Sequence, residues 1–270
     1  MCFSFEHMNW LENTGQTLKT KNGKEVEIWE LRHIQDEEIL SAWARHFRNH
    51  YCLDSQIDSL CHGTGLTKTE YLNQIKFPDK SISPGPSIRA GDFAEILAAD
   101  YLEYVLKHWV PRTRYSHKIV RNESMKGADT IGFLFSDDDD ISKDTLTIIE
   151  SKAKYTGNHD NRLQTAIEHS GKDIIRKAET LNAIKQRFLD KDDIDNSNKI
   201  ERFQNEADNP YIQKFGAIAH LDTNNFTDDV ITASDSSSHP NNTQLFIIVI
   251  KGKDMMKLVH ELYRRAADEA

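Results

Sequence analysis

Between residues 87 and 108 the apolar side chains Phe93, Ile96, Leu97, Tyr101, Tyr104 and Val105 recur at helical spacing, which predicts a helix with Ser87 as its cap. Three strand-like runs follow, near 114–121, 128–135 and 145–153. Leu163, Ile167, Ile174, Ala178, Leu181, Ile184 and Phe188 then stand mostly three or four apart, predicting one long amphipathic helix. Two more strands, 215–221 and 245–250, and a last helix over 254–267 with Met255 and Met256 on its packing face complete the pattern. Before residue 87 the pattern is weaker, with a helix around 37–46 and a turn-rich stretch at 78–86. The order of elements describes an α/β fold, a mixed sheet flanked by helices. We divide the chain into an N-terminal accessory region, 1–86, and a core, 87–270.

Composition narrows the class. The chain has 270 residues and a formal charge of −9, and its longest fully apolar run is only 245–250. A spanning helix needs about 18 or more such residues, so a membrane protein is not expected. Met1 to Glu6 shows no basic stretch followed by an apolar one, and the three cysteines (Cys2, Cys52, Cys61) form no framework, so a cytoplasmic location is expected. The acidic balance argues at first against a nucleic-acid partner. The charge is uneven, however: 107–135 carries a surplus of four positive charges, while 189–240 carries an excess of seven negative ones. Residues 137–140 add four aspartates. The polar stretches 189–210 and 222–243 read as surface excursions.

The chemistry concentrates in two neighbouring strands. Glu150 and Lys152 share a strand face with Ile148, while Ser151 and Ile149 take the other. An acid and a base at the end of so apolar a strand are costly to bury unpartnered. Asp129, one strand upstream after Gly127 and Ala128, is placed to sit beside Glu150, and two converging carboxylates repel unless a cation separates them. Oxygen donors favour Mg²⁺ or Mn²⁺, and a lysine beside such an ion suits phosphodiester hydrolysis. Taken singly, Asp129 reads equally as a turn residue and Glu150 with Lys152 as an exposed same-face pair. Glu95 on the preceding helix strengthens the site reading. Arg112, Arg114 and Lys118 lie next to it in the sequence and fit either phosphate contacts or a charged strand edge.

Asp129 followed by Glu150, Ser151 and Lys152 after an apolar strand resembles the PD-(D/E)xK nuclease superfamily, with Gly127 and Ala128 where a proline is often found. The resemblance implies a restriction-endonuclease-like core and Mg²⁺-dependent cleavage of DNA. It implies Asp129, Glu150 and Glu95 as metal ligands, Lys152 as the residue that assists water, and Gln164 as a supporting glutamine. More narrowly, residues 46–52, Glu70, Tyr71, Leu72 and 91–95 resemble the nuclease subunit of the Hachiman anti-phage defence system, which implies a partner helicase subunit. No G-x-x-x-x-G-K-[ST] phosphate loop occurs in the chain itself.

His46, His50, Cys52, Cys61 and His62 are ligand types for zinc, but no recognised ligand spacing joins them, and buried thiols and satisfied core histidines account for them more cheaply. The pair His159 and Asp160 hints at a phosphohydrolase dyad without a second motif to support it. Two rivals to the helicase-partnered nuclease remain: a nuclease-like fold that only grips DNA or docks a motor, and a stand-alone restriction endonuclease.

Overall fold

The computed structural model describes residues 5–136, 140–157 and 160–270. Most of the aspartate run at 137–140, and His159 of the His159–Asp160 pair, lie outside the described residues. Among the described residues, six strands form one mixed sheet: β1 (Leu11–Lys19), β2 (Glu25–Leu31), β3 (Thr130–Leu134), β4 (Thr145–Lys154), β5 (Ile212–Asp222) and β6 (Leu245–Gly252). Their order across the sheet is β1-β2-β6-β5-β4-β3, with antiparallel pairs at both edges and parallel pairs between.

Alternation along β4 builds two cores. Ile149 packs with Phe93, Leu97, Phe47 and Tyr263 on one face, whereas Ile148 packs with Leu163, Ile167, Leu181 and Ile184 on the other. The first face is covered by helices α1 (Glu37–Tyr51), α2 (Ile57–Cys61), α3 (Lys68–Tyr71) and α4 (Gly85–Asp100). The second is covered by α5 (Arg162–Ser170), α6 (Asp173–Leu189) and α7 (Ile194–Glu201). A short α8 (Asp228–Thr232) precedes β6, and α9 (Met255–Asp268) returns to the first face against α1. Burying each large aliphatic side chain contributes about 1.5–3 kcal/mol, and Ile148 and Ile149 are both fully enclosed. No helix among the described residues is long and apolar enough to cross a membrane.

Several elements differ from the sequence pattern. The helix expected over 163–188 breaks in two at Gly171 and Lys172, where a Cβ on Gly171 would lie 3.1 Å from the Pro240 ring. The helix expected to run to 108 is α-helical to Asp100 and then widens into a π turn, Tyr101–Val105. The strand expected at 114–121 does not form. That segment carries only a short turn, Tyr115–His117, because Arg112, Arg114 and Lys118 turn inward to acids while Ile119 and Val120 both face solvent. The polar excursions are partly structured: α7 forms within 189–210, and Ser234 and Ser236 are buried. The region before residue 87 is tied into the rest of the molecule, since β2 pairs with β6 and β1 with β2.

Candidate functional site

Pairing between β3 and β4 ends at Thr130 and Ile149, while β4 continues beside β5 to Lys154. Glu150 is therefore the first residue of β4 beyond its antiparallel neighbour, and the two strands part there. A backbone N–H at such a point needs another acceptor, and the Ser151 N–H donates to Asp129 Oδ2 at 3.2 Å. Gly127, at φ +95°, takes a left-handed conformation that a side chain disfavours, and so turns the chain into Ala128 and Asp129. The Ala128 N–H in turn donates to Thr180 Oγ1 on α6 at 3.1 Å.

Glu150 and Lys152 project toward α5 and α6, as Ile148 does. Lys152 Nζ is in contact with the Glu150 carboxylate and lies 3.7 Å from Asp129 Oδ2. His169 Nδ1 on α5 stands 3.5 Å from Glu150 Oε1. Burial, followed by repulsion from Asp129, pushes the Glu150 carboxyl up to about 9. Although burial opposes its charge, Lys152 is held above the ordinary lysine range by Asp129 and Glu150.

A further acid stands here that the sequence pattern did not single out. Asp173, in the first turn of α6, is fully buried; no N–H or hydroxyl among the described residues donates to its carboxylate, whose hydrogen-bonding neighbour is the Glu150 carboxyl. The nearest cation is the Arg176 guanidinium, 3.8 Å from Oδ1. Burial and then Asp129 push the Asp173 carboxyl up to about 7. No sequence signal marks it, because the break at Gly171 sets its face: Ser170 before the break and Asp173 after it are both fully buried, where a carboxylate is out of place.

Glu95 arrives from the opposite layer, on α4. Its Oε2 accepts from Tyr115 Oη at 2.5 Å and meets Arg114 Nε at 2.9 Å. Arg114 Nη2 lies 3.3 Å from Asp129 Oδ1, so a single guanidinium bridges both acids. The same side chain donates to the carbonyls of Met125, Lys126 and Ala128, fastening the segment before β3. Burial raises the Glu95 carboxyl to about 8, with Arg114 opposing and Asp129 reinforcing the shift.

The structure thus brings Asp129, Glu150, Lys152 and Glu95 into one connected set. Gln164 is turned elsewhere: its amide exchanges hydrogen bonds with the Asp235 backbone and donates to Glu168. The expected phosphate contacts are also placed differently. Arg112 is enclosed between Asp100 and Glu103, Lys118 is buried against Asp92, and Arg114 is taken up as described. Cations without an ion pair among the described residues are found instead at Lys126 and Arg187, which line a cavity of about 560 Å³ together with Glu95, Arg114 and Asp129. The zinc candidates do not assemble. His46 and His50 touch, but Cys52 donates only to the Leu53 carbonyl and His62 is exposed. His46 instead joins His7 on Asp100, the one place among the described residues where three such ligand atoms lie within 4.8 Å of one another. Arg112 Nη2 already lies 2.7 Å from Asp100 there, supplying a cation.

Glu95, Asp129, Glu150 and Asp173 put four carboxylates where Arg114 and Lys152 supply two closely held cations. The donors are all hard oxygens, the type that Mg²⁺ and Mn²⁺ take, and neither Asp173 oxygen accepts from an N–H or hydroxyl among the described residues. No three of these acids bring ligand atoms within 4.8 Å of one another. No curated protein matches the chain. The HamA family model, by contrast, matches it from residue 6 to residue 266, taking in both layers of the sheet and every acid of the site, and the chain belongs to the HamA family.

Proposed function

We propose that this chain is a divalent-cation-dependent nuclease that cuts DNA. Family membership fits a role in Hachiman defence, and in that setting the partner is a helicase subunit. In this reading β3–β6 with α4, α5 and α6 form a restriction-endonuclease-like core, to which β1, β2 and α1–α3 are accessory. The observation that carries it is the contact set of Asp129, Glu150 and Lys152 at the point where β3 and β4 part.

Asp129 and Glu150, with Glu95 reaching across from α4, are the residues to hold Mg²⁺ or Mn²⁺. Bound there, the ion supplies Lewis-acid polarisation of the phosphodiester. Lys152, kept charged by its two acids, orients the attacking water and offsets charge developing on the phosphate oxygens. Lys126 and Arg187 meet the phosphates of the DNA, since Arg112 and Lys118 are committed inside the protein. Gln164 acts at a distance, holding α5, and with it His169, against the segment around Asp235.

The test is the double substitution Glu150→Ala with Lys152→Ala, assayed for plasmid cleavage with Mg²⁺ and the helicase present. Activity should fall by roughly a hundredfold or more; cutting at the wild-type rate refutes the site. A second reading, a DNA-gripping or motor-docking module without catalysis, draws on Arg114 and Lys152 already holding the acids. It requires plasmid integrity and DNA binding to be indifferent to EDTA.

A further inference from the structure

Asp173 has the positive end of α6 and Arg176 to favour its charge, as an acid in a first turn commonly does. No N–H or hydroxyl among the described residues donates to either of its oxygens, its hydrogen-bonding neighbour is the Glu150 carboxyl, and the side chain is wholly enclosed. Two enclosed carboxyls can share such a contact only with a proton between them or a cation in its place. Among the described residues, the positive group within ion-pair reach is Arg176, at 3.8 Å and about half exposed. The carboxylate lies on the inner stripe of α6, with His169 before it in contact with Glu150 and Thr180 after it bound to the Ala128 N–H. It is therefore placed against Glu150 and within electrostatic reach of Asp129.

We propose that Asp173 is a further divalent-cation ligand, sharing an ion with Glu150 on the α5–α6 side of β4. This rests on the reading of Glu150 as a metal ligand and adds to it an oxygen donor from a helix that the D…E-x-K pattern does not include. The arrangement accounts for the missing hydrogen bonds, because coordinating oxygens need lone pairs that no N–H has claimed. It also accounts for an acid in an otherwise buried stripe.

The experiment titrates the metal-free full chain with Mn²⁺ by calorimetry, and with Mg²⁺ by thermal shift, in wild type, Asp173→Asn and Glu150→Gln. Asp173→Asn should fold, since it removes an enclosed charge at nearly constant volume. It should weaken Mn²⁺ binding by about tenfold or more and shrink the Mg²⁺-induced rise in Tm. Asp173→Ser, checked by circular dichroism, removes the carboxylate by a second route. Wild-type Mn²⁺ affinity in both Asp173 variants, with Glu150→Gln defective, overturns this inference and leaves the nuclease site standing. Wild-type affinity in Glu150→Gln as well, or no Mn²⁺ binding by the wild type, overturns both. Loss of folding in both Asp173 variants also counts against the inference, because the carboxylate would then hold the fold and not an ion.

Discussion

Glu150, Glu95 and Asp173 keep their protons to unusually high pH because each is enclosed and each stands near Asp129. The folded protein therefore binds more protons than the unfolded chain between the ordinary carboxyl range and about 9, the value for Glu150. Stability must fall as pH rises across that window, since deprotonation is easier in the unfolded state. In EDTA, Tm should decline from pH 7 to pH 9, where His7 and His50, both lowered by burial, are already neutral. Mg²⁺ replaces the missing protons, so its stabilising effect should be larger at pH 9 than at pH 7. A metal-free Tm flat across that range, measured by scanning calorimetry, would contradict this account. Glu150 and Lys152 were legible in the sequence because strand alternation settles which side chains share a face, and Ile148 beside them showed that the face is enclosed. Asp173 was not legible, because its meaning depends on a break at Gly171 that periodicity read through. Nor were the duties of Arg112 and Lys118: local charge shows that a basic residue is present, but not that an acid nine or more residues away has claimed it.

At the scale of elements, the segment from Val110 to Asp129 is shaped by side chains more than by a backbone ladder. Arg112 anchors it to α4 through Asp100, which also accepts from His7 at 3.0 Å and His46 at 2.9 Å. Burial pushes the Asp100 carboxyl upward, yet His46 and Arg112 more than offset it and hold it well below the usual range. Two residues further on, Arg114 and Tyr115 reach Glu95. Arg112→Met should cost about 3–5 kcal/mol, the usual penalty for breaking a buried ion pair from one side, read by urea denaturation. A loss under 1 kcal/mol would mean that the histidines alone satisfy Asp100. The strand expected across this segment failed for the same reason: a basic residue every second or fourth position imitates strand alternation when the side chains are in fact turned toward acids. The expected helix at 37–46 does form and continues to Tyr51, its start marked by Asp36 accepting from the Ile39 N–H at 3.1 Å. Strand β2 alternates Val26 and Ile28 with glutamates, but Trp29 interrupts the period, and β1 is too polar on both faces to stand out.

For the whole molecule, the first 86 residues supply two of the six strands and the helix that packs against α9. Without them, β6 loses its parallel neighbour β2, and Tyr263, fully buried against Phe47 and Tyr51, loses both. A chain beginning at residue 87 should therefore aggregate or expose its core, seen as dye binding and lost near-ultraviolet circular dichroism. A truncated protein with a cooperative thermal transition would show that the core stands alone. The α/β class was legible because it depends on local periods, whereas the sheet order was not, since β2–β6 pairing joins Glu27 to Ile248 across nearly the whole sequence. That pairing also has a consequence in time. During synthesis the β1–β2 hairpin is made long before its interior neighbour β6, and α1 likewise waits for α9. Long-range closure of this kind slows folding. Throughout that interval of translation one hairpin edge stays uncovered and α1's apolar face bare.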